Sequence, residues 1–242
     1  MFRIWFPTFV IALSLIAVSC SQQKSTEEYI KSGQSHFDKK EWKSAIIEFK
    51  NAVRQSPDNA SARAQLGLAY IETYSSEAAI KELIRAIDLG YDKNTLLIPL
   101  GNAYHQNNDF IKIIDEISVE SSQPKSMQAR IHALRAVAYM QLEKINETQN
   151  ALKEARQLDE NATEVRLAWA SFEQNNGNTK GQKEWLEPLL ERNGGVADAW
   201  SQIGQIENTA ANLEASEKAY SRSIELRQLV HFDYARRALV RV

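Results

Sequence analysis

The side chains that could do chemistry in this chain are few and far apart. The 242 residues include one cysteine, Cys20, and four histidines, His36, His105, His132 and His231. None of the histidines falls in H-E-x-x-H or another zinc-binding spacing, and no second cysteine can complete a thiolate site. Gly-rich phosphate loops and the G-x-S-x-G nucleophile elbow are absent as well. The sequence therefore predicts no metal site, no cofactor and no catalytic residue.

Two pairs of adjacent carboxylates, Asp115-Glu116 and Asp159-Glu160, are the remaining candidates for acid and base catalysis. Both pairs lie near the expected ends of helices, where charged side chains are ordinarily solvated. We therefore expect a protein that is not an enzyme.

The amino terminus differs in kind from the rest of the chain. Arg3 precedes an apolar stretch over 4–19, which is shorter than the roughly 20 residues of a membrane-spanning helix and is typical of an export signal. The stretch ends at Cys20 in an arrangement that resembles a bacterial lipobox, although Ala17 stands where Leu is usual. The resemblance implies a signal peptide over 1–19, lipidation of Cys20 and a polar tether over 20–25. An ordinary secretory signal with a spare cysteine and an uncleaved anchor helix are the alternatives.

Composition limits the class of protein that follows this signal. The chain is 43% hydrophobic and 25% charged, which is typical of a globular protein, and its formal net charge is -2. Because nucleic-acid binders carry clustered basic residues, nucleic acid is not an expected partner. Strong helix formers are dense after Cys20, and apolar residues recur at intervals of three and four, as in "AAIKELIRAI" over 78–87. The predicted fold class is all-α.

A short sequence motif that recurs at a fixed interval indicates the architecture. "LGLAY" at 66–70 returns as "LGNAY" at 100–104, and Gly33, Gly67 and Gly101 stand at the same interval of 34 residues. This period and these residues resemble the tetratricopeptide repeat (TPR), a pair of helices that stacks on its neighbours into a solenoid. The resemblance implies a solenoid over 26–242, with repeats that begin near 26, 60, 94, 129, 163 and 197 and a half-repeat from 231.

The residues at matching positions have a packing explanation. We expect the small residue of each repeat to lie where its first helix meets its second, because a larger side chain would hold the axes apart. These residues are Gly33, Gly67, Gly101, Ala136, Ala170 and Gly204. The third repeat departs from the pattern with Ile113 and Ile117 in its second helix, so we expect a flexible seam there.

A closer resemblance lies in the amino-acid pattern within the repeats. The pattern FKNAV.Q.PDN..AR..LG..Y within 44–72 is similar to the TPR lipoproteins of the exosortase/PEP-CTERM exopolysaccharide system, often called PrsT-like. This resemblance implies a scaffold at the bacterial cell envelope, lipid-anchored and facing the periplasm, with polysaccharide-export proteins as partners. Residue 21, directly after the cysteine, is Ser rather than the Asp that retains lipoproteins in the inner membrane of enteric bacteria. This favours placement in the outer membrane. The alternative is an assembly lipoprotein like the six-repeat TPR pilotins of type IV pilus secretins.

The expected working surface is the concave groove formed by the first helices of TPR arrays. By analogy with that family, the inward-facing positions form an amide-rich and nearly uncharged lining. The predicted partner-binding residues are Gln34, Asn102, His105, Gln106, Met140, Gln141, Gln174 and Gln205. Amides offer both a donor and an acceptor, so they could bind an extended peptide or a glycan.

Overall fold

The computed structural model describes residues 24–191, 195–226 and Arg237. The predicted signal peptide and the lipidation of Cys20 fall on residues outside this description, as does the half-repeat from 231 apart from Arg237. The statements that follow concern the described part of the chain.

The prediction of an all-α fold is confirmed, since the described ranges form twelve α-helices. None of these helices combines the length and the apolarity that a membrane crossing requires. They are α1 (Thr26–Asp38), α2 (Trp42–Gln55), α3 (Ala60–Glu72), α4 (Ser76–Asp88), α5 (Lys93–Gln106), α6 (Phe110–Glu116), α7 (Lys125–Gln141), α8 (Ile145–Asp159), α9 (Thr163–Asn175), α10 (Thr179–Glu191), α11 (Ala197–Thr209) and α12 (Leu213–Leu226).

Consecutive helices pack as six helix-turn-helix pairs, α1 with α2 through α11 with α12. Each first helix from α1 to α7 also contacts the next first helix, as α7 contacts α9, so the array is a solenoid. The core follows this order in successive clusters of buried apolar residues rather than in one central nucleus. Stability is therefore expected to be a sum over neighbouring repeats.

The turn inside each pair has the same backbone conformation. In the first pair the amide of Glu41 donates to the carbonyl of His36, and that of Lys40 donates to Phe37, both at 2.9 Å. These are the two bonds of a Schellman motif, which places the residue after the helix cap in the left-handed region. The residues with positive φ at this position are Lys40, Tyr74, Asn108, Glu143, Gly177 and Ala211. Their spacing of 34 or 35 residues repeats the period of the sequence.

The expected role of the small residues is confirmed at Gly33, Gly67 and Gly204. A Cβ placed on Gly33 would lie 2.5 Å from the ring of Phe49, and one on Gly67 would lie 2.7 Å from the side chain of Leu83. Gly204 meets Tyr220 in the same way. Glycine thus lets the second helix approach closely enough for Phe49, Leu83 or Tyr220 to pack against the first helix and be buried.

The third pair is built differently from the other five. Its second helix, α6, has 7 residues, whereas the other helices have 13 or more. A Cβ on Gly101 would meet Leu134 of the next repeat at 2.7 Å, with Ile117 farther away at 3.7 Å. The shortened helix therefore leaves room that the following repeat fills. Ile113 and Ile117 are fully buried there, and the flexibility expected of this seam stays a prediction.

Polar contacts fasten this shortened helix to the next repeat. The Arg135 guanidinium donates to the carbonyls of Ile114 and Ile117, at 2.7 and 3.1 Å, which satisfies carbonyl groups at the end of α6. Gln123 is buried in the connection that follows, and its amide nitrogen donates to Asn94 at 3.2 Å. With this connection in place, α7 begins at Lys125 rather than near 129.

The array curves strongly enough for its first and last repeats to meet. The Lys40 ammonium, in the turn between α1 and α2, donates a 2.9 Å hydrogen bond to the carbonyl of Leu226 at the end of α12. This curvature encloses a concave surface lined by first helices.

Candidate partner-binding groove

First helices of repeats two to six surround a concave cavity of about 550 Å³, which we call the groove. Its lining alternates apolar side chains with polar and charged ones. The residues are Ile71, Glu72, Tyr74, Asn102, His105, Gln106, Ala133, Leu134, Val137, Thr163, Glu164, Leu167, Ala168, Ser171, Val196, Asp198, Ser201 and Gln202.

The groove crosses the helices obliquely. It uses the last turn of α3 and of α5, as at Glu72 and His105, then the middle of α7 at Leu134. From there it continues over the first turns of α9 and α11, as at Glu164 and Asp198. The position that faces the groove thus moves along successive helices, as expected of a solenoid in which each repeat is rotated slightly relative to the one before it.

Only part of the predicted binding set lies on this path. Asn102, His105 and Gln106 line the groove together, as neighbours at the end of α5. The other predicted residues, Gln34, Met140, Gln141, Gln174 and Gln205, are not among its lining residues. Met140, Gln141 and Gln174 occupy the last turns of α7 and α9, which the rotation between repeats carries away from the groove.

Several of these amides already have partners within the protein. Gln106 donates to the carbonyl of Ile71 on the neighbouring first helix at 3.3 Å, and Gln34 donates to Asp38 at 2.8 Å. Gln106 therefore braces two repeats while it lines the groove. Its amide oxygen is covered and has no hydrogen-bond partner in the described part of the chain.

The expectation of a nearly uncharged lining is wrong. Carboxylates of Glu72, Glu164 and Asp198 reach the groove from three different helices. Glu164 forms an ion pair with Arg130 across α9 and α7, at 2.7 Å. Two of the three carboxylates, Glu164 and Asp198, stand in first turns, where acidic residues favour the positive end of the helix dipole. The sequence shows this charge, but only the rotation of the repeats directs it inward.

His105 is the groove's imidazole. Its side chain is accessible from the cavity, but other residues of the protein surround it and desolvate the ring. The ring packs edge-on against Phe110, at 5.8 Å between centroids. Desolvation lowers the pKa of His105, because the charged ring is disfavoured there, and the opposing attraction of Asp198 is weaker. His105 therefore presents a neutral ring to a ligand near pH 7.

The described residues contain no cluster of His, Cys, Asp or Glu side chains that could hold a metal ion. The groove instead offers hydrogen-bonding groups beside apolar surface along an open path. This arrangement suits the binding of an extended chain rather than the enclosure of a small reactant.

Residues 33–73 match the family model described as TPR repeat. The solved structure of PilF from Pseudomonas aeruginosa is similar, at 14% sequence identity and a TM-score of 0.53, over 87% of this chain and 95% of that chain. The fold is a TPR array. A tetratricopeptide repeat protein from Parabacteroides merdae ATCC 43184 is similar too, at 16% identity and a TM-score of 0.52, over 91% of this chain and 100% of that one. No curated protein matches.

These likenesses show the fold alone, because both identities are low. TPR arrays typically lack catalysis and bind protein partners. What this array binds is a separate question.

Proposed function

We propose that this protein is a non-enzymatic scaffold of the bacterial envelope, which holds an extended segment of a partner protein in the groove. The observation that carries the proposal is the continuity of the groove across α3, α5, α7, α9 and α11. One ligand chain can contact five repeats along such a path. The proposed activity is therefore capture and positioning.

The lining suggests what the segment is like. Glu72 and Asp198 line the groove beside Glu164, whose carboxylate is paired with Arg130, and no Lys or Arg is among the lining residues. A polar or basic segment therefore fits better than an acidic one. Each added hydrogen bond contributes only about 0.5–1.5 kcal/mol net. Useful affinity must then come from several repeats engaged together.

We propose further that Cys20 anchors the protein by lipid, facing the periplasm, and in the outer membrane rather than the inner one. The support is the lipobox-like sequence that ends at Cys20. Acyl chains contribute about 0.8 kcal/mol per buried methylene, and two signals or chains give stable anchoring. Labelled palmitate should enter the wild type, and Cys20→Ala should leave the membrane fraction. Retention of that variant in membranes together with an unlabelled wild type would refute the anchor.

Two finer roles are compatible with such a scaffold. The first is service to exopolysaccharide synthesis or export alongside the exosortase system, which is supported by the sequence pattern in 44–72. The second is assembly of a type IV pilus or secretion machine. This alternative is supported by the extent of the array, since the likeness to PilF spans 95% of that chain.

Site-specific crosslinking in cells tests the groove and separates the two roles. A photoreactive amino acid replaces His105, which lies in the groove, and in the matched control it replaces Gln141, which is exposed on α7 outside the groove. We expect an adduct from position 105 that position 141 does not form. A polysaccharide-export protein in the adduct supports the first role, and a secretin subunit supports the second.

A second pair of variants checks that the groove matters for function. Asn102→Ala with His105→Ala should weaken export of polysaccharide or assembly of pili, while Gln141→Ala should not, and all should keep wild-type helicity. If the groove variant functions normally and crosslinks form only from position 141, the groove is not the working surface.

A further inference from the structure

A second cavity lies away from the groove, between α8 of the fourth repeat and α9 of the fifth. We call it the aromatic pocket. It has a volume of about 450 Å³, within the range of ligand sites. Its lining residues are Gln149, Lys153, Arg156, Gln157, Trp169 and Phe172. The α9 residues of this pocket and those of the groove are different, so the two sites use separate faces of one helix.

Two aromatic residues, Trp169 and Phe172, line the pocket, and Trp185 packs behind Trp169. The indoles of Trp169 and Trp185 stack with centroids 5.3 Å apart and planes 13° from parallel. Phe172 meets Trp169 edge-on at 5.8 Å. The guanidinium carbon of Arg156 lies 5.9 and 5.4 Å from the two indole centroids, a cation–π arrangement that holds its charge beside the pocket.

The polar groups of the pocket are rich in donors. Among the described residues, Gln149, Lys153 and Gln157 take part in no hydrogen bond or ion pair, and Arg156 has only a 3.5 Å contact with Glu160. The side chains of Arg156 and Glu160 are 55% and 52% exposed, so that pair is weak. No carboxylate lines the pocket. Lys and Arg donate but cannot accept, which favours an acceptor-rich, anionic ligand.

The aromatic rings indicate that the part of the ligand next to its anionic group is an apolar side chain rather than a sugar. One face of Trp169 is taken by Trp185, and Phe172 and Arg156 pack around it. A sugar needs an open aromatic face to stack on, whereas an apolar side chain can pack against the exposed parts of Trp169 and Phe172.

We propose that the aromatic pocket is a second binding site, which takes an acidic peptide segment of a partner protein with an apolar side chain next to a carboxylate. Lys153 and Arg156 bind the carboxylate, Gln149 and Gln157 bind peptide groups, and the apolar side chain packs on Trp169 and Phe172. The groove has the opposite charge preference, so one scaffold can hold two segments of different chemistry. This site does not depend on what the groove binds.

The test is fluorescence anisotropy with labelled peptides on the protein comprising residues 20–242. The probe is a hexapeptide of alternating Asp and Phe, and the matched probe of alternating Lys and Phe reverses its charge. We expect the acidic probe to bind at least tenfold more tightly than the basic one. Binding should weaken as salt rises from about 50 to about 500 mM, because the contact is charged and partly exposed.

Variants locate the site. Lys153→Gln should weaken the acidic probe several-fold, and Lys153→Gln with Arg156→Gln should weaken it at least tenfold. The matched control is Lys180→Gln, a cation on α10 that is 89% exposed and outside the pocket, which should leave binding unchanged. Asn102→Ala with His105→Ala, in the groove, should leave it unchanged as well.

Three results would overturn the proposal. They are failure of the acidic probe to bind, equal binding of both probes, and acidic-probe binding that Lys153→Gln does not alter. Lys153 is exposed and forms no hydrogen bond or ion pair in the described part of the chain, so the last result cannot be attributed to misfolding. A fourth result would overturn it as well: displacement of the peptide by an acidic oligosaccharide such as oligogalacturonate, at lower concentration than unlabelled peptide, would show that the pocket is a glycan site instead.

Discussion

Gly67→Leu should open the amino-terminal end of the array while the other end stays folded. A Cβ on Gly67 would lie 2.7 Å from Cγ and Cδ2 of Leu83, and 3.3 Å from its backbone nitrogen. Carbon atoms pack best at about 3.5–4.0 Å, so even one added carbon requires a displacement of about 1 Å. Three further carbons have no space between α3 and α4.

The expected cost can be worked out from these contacts. Overpacking costs about 1–3 kcal/mol, and removal of a helical glycine returns about 1 kcal/mol. Gly67→Ala should therefore lower the free energy of unfolding by about 1 kcal/mol, and Gly67→Leu, at the upper end of that range, by about 2 kcal/mol. The small value for alanine agrees with Ala136 and Ala170, which occupy the matching position of the fourth and fifth repeats.

Urea denaturation measures these values, and amide hydrogen exchange shows where the array opens. Exchange should rise in α1 to α4 before it rises in α9 to α12, since repeats are stabilised by their neighbours. Leu83→Ala removes the clashing side chain, so the double variant Gly67→Leu with Leu83→Ala should cost less than the sum of the two single variants. Strict additivity, or uniform loosening of all twelve helices, would refute the packing argument.

Other perturbations address the turns, the pH response and the shortened helix. Gly177→Ala should cost about 1 kcal/mol in urea denaturation, because Gly177 has φ +71° with open space around it. Ala211→Gly, at the matching turn position with φ 59°, should raise the free energy of unfolding by about as much. The lowered pKa of His105 means that, below its ordinary value of about 6.5, the unfolded chain binds a proton that the folded chain resists. The melting temperature should therefore fall as pH decreases from 7 to 5, and less so in His105→Gln. Arg135→Gln loses charged bonds to the carbonyls of Ile114 and Ile117, which should cost about 2 kcal/mol and speed exchange in α6.

Features with local causes could be predicted from the sequence. The period of 34 residues, the pairing of helices and the small residues such as Gly33 and Gly67 all follow from patterns within one repeat, and the structure confirms them. Asn102, His105 and Gln106 were predicted together because they share one turn of α5. The shortening of α6 was signalled only indirectly, by Ile113 and Ile117 in place of the usual Ala and Phe.

The path of the groove and the aromatic pocket were decided by tertiary structure. Small rotations between repeats accumulate along the array, so Asp198 faces the groove while Gln141 does not, although both belong to first helices. Trp169 and Trp185 are 16 residues apart, and Arg156 belongs to the preceding repeat, so no motif links them. The sequence by itself determined which helices form and how each pair closes, because those contacts are local; the packing between repeats determined which side chains face a ligand, because that direction is the sum of many interfaces.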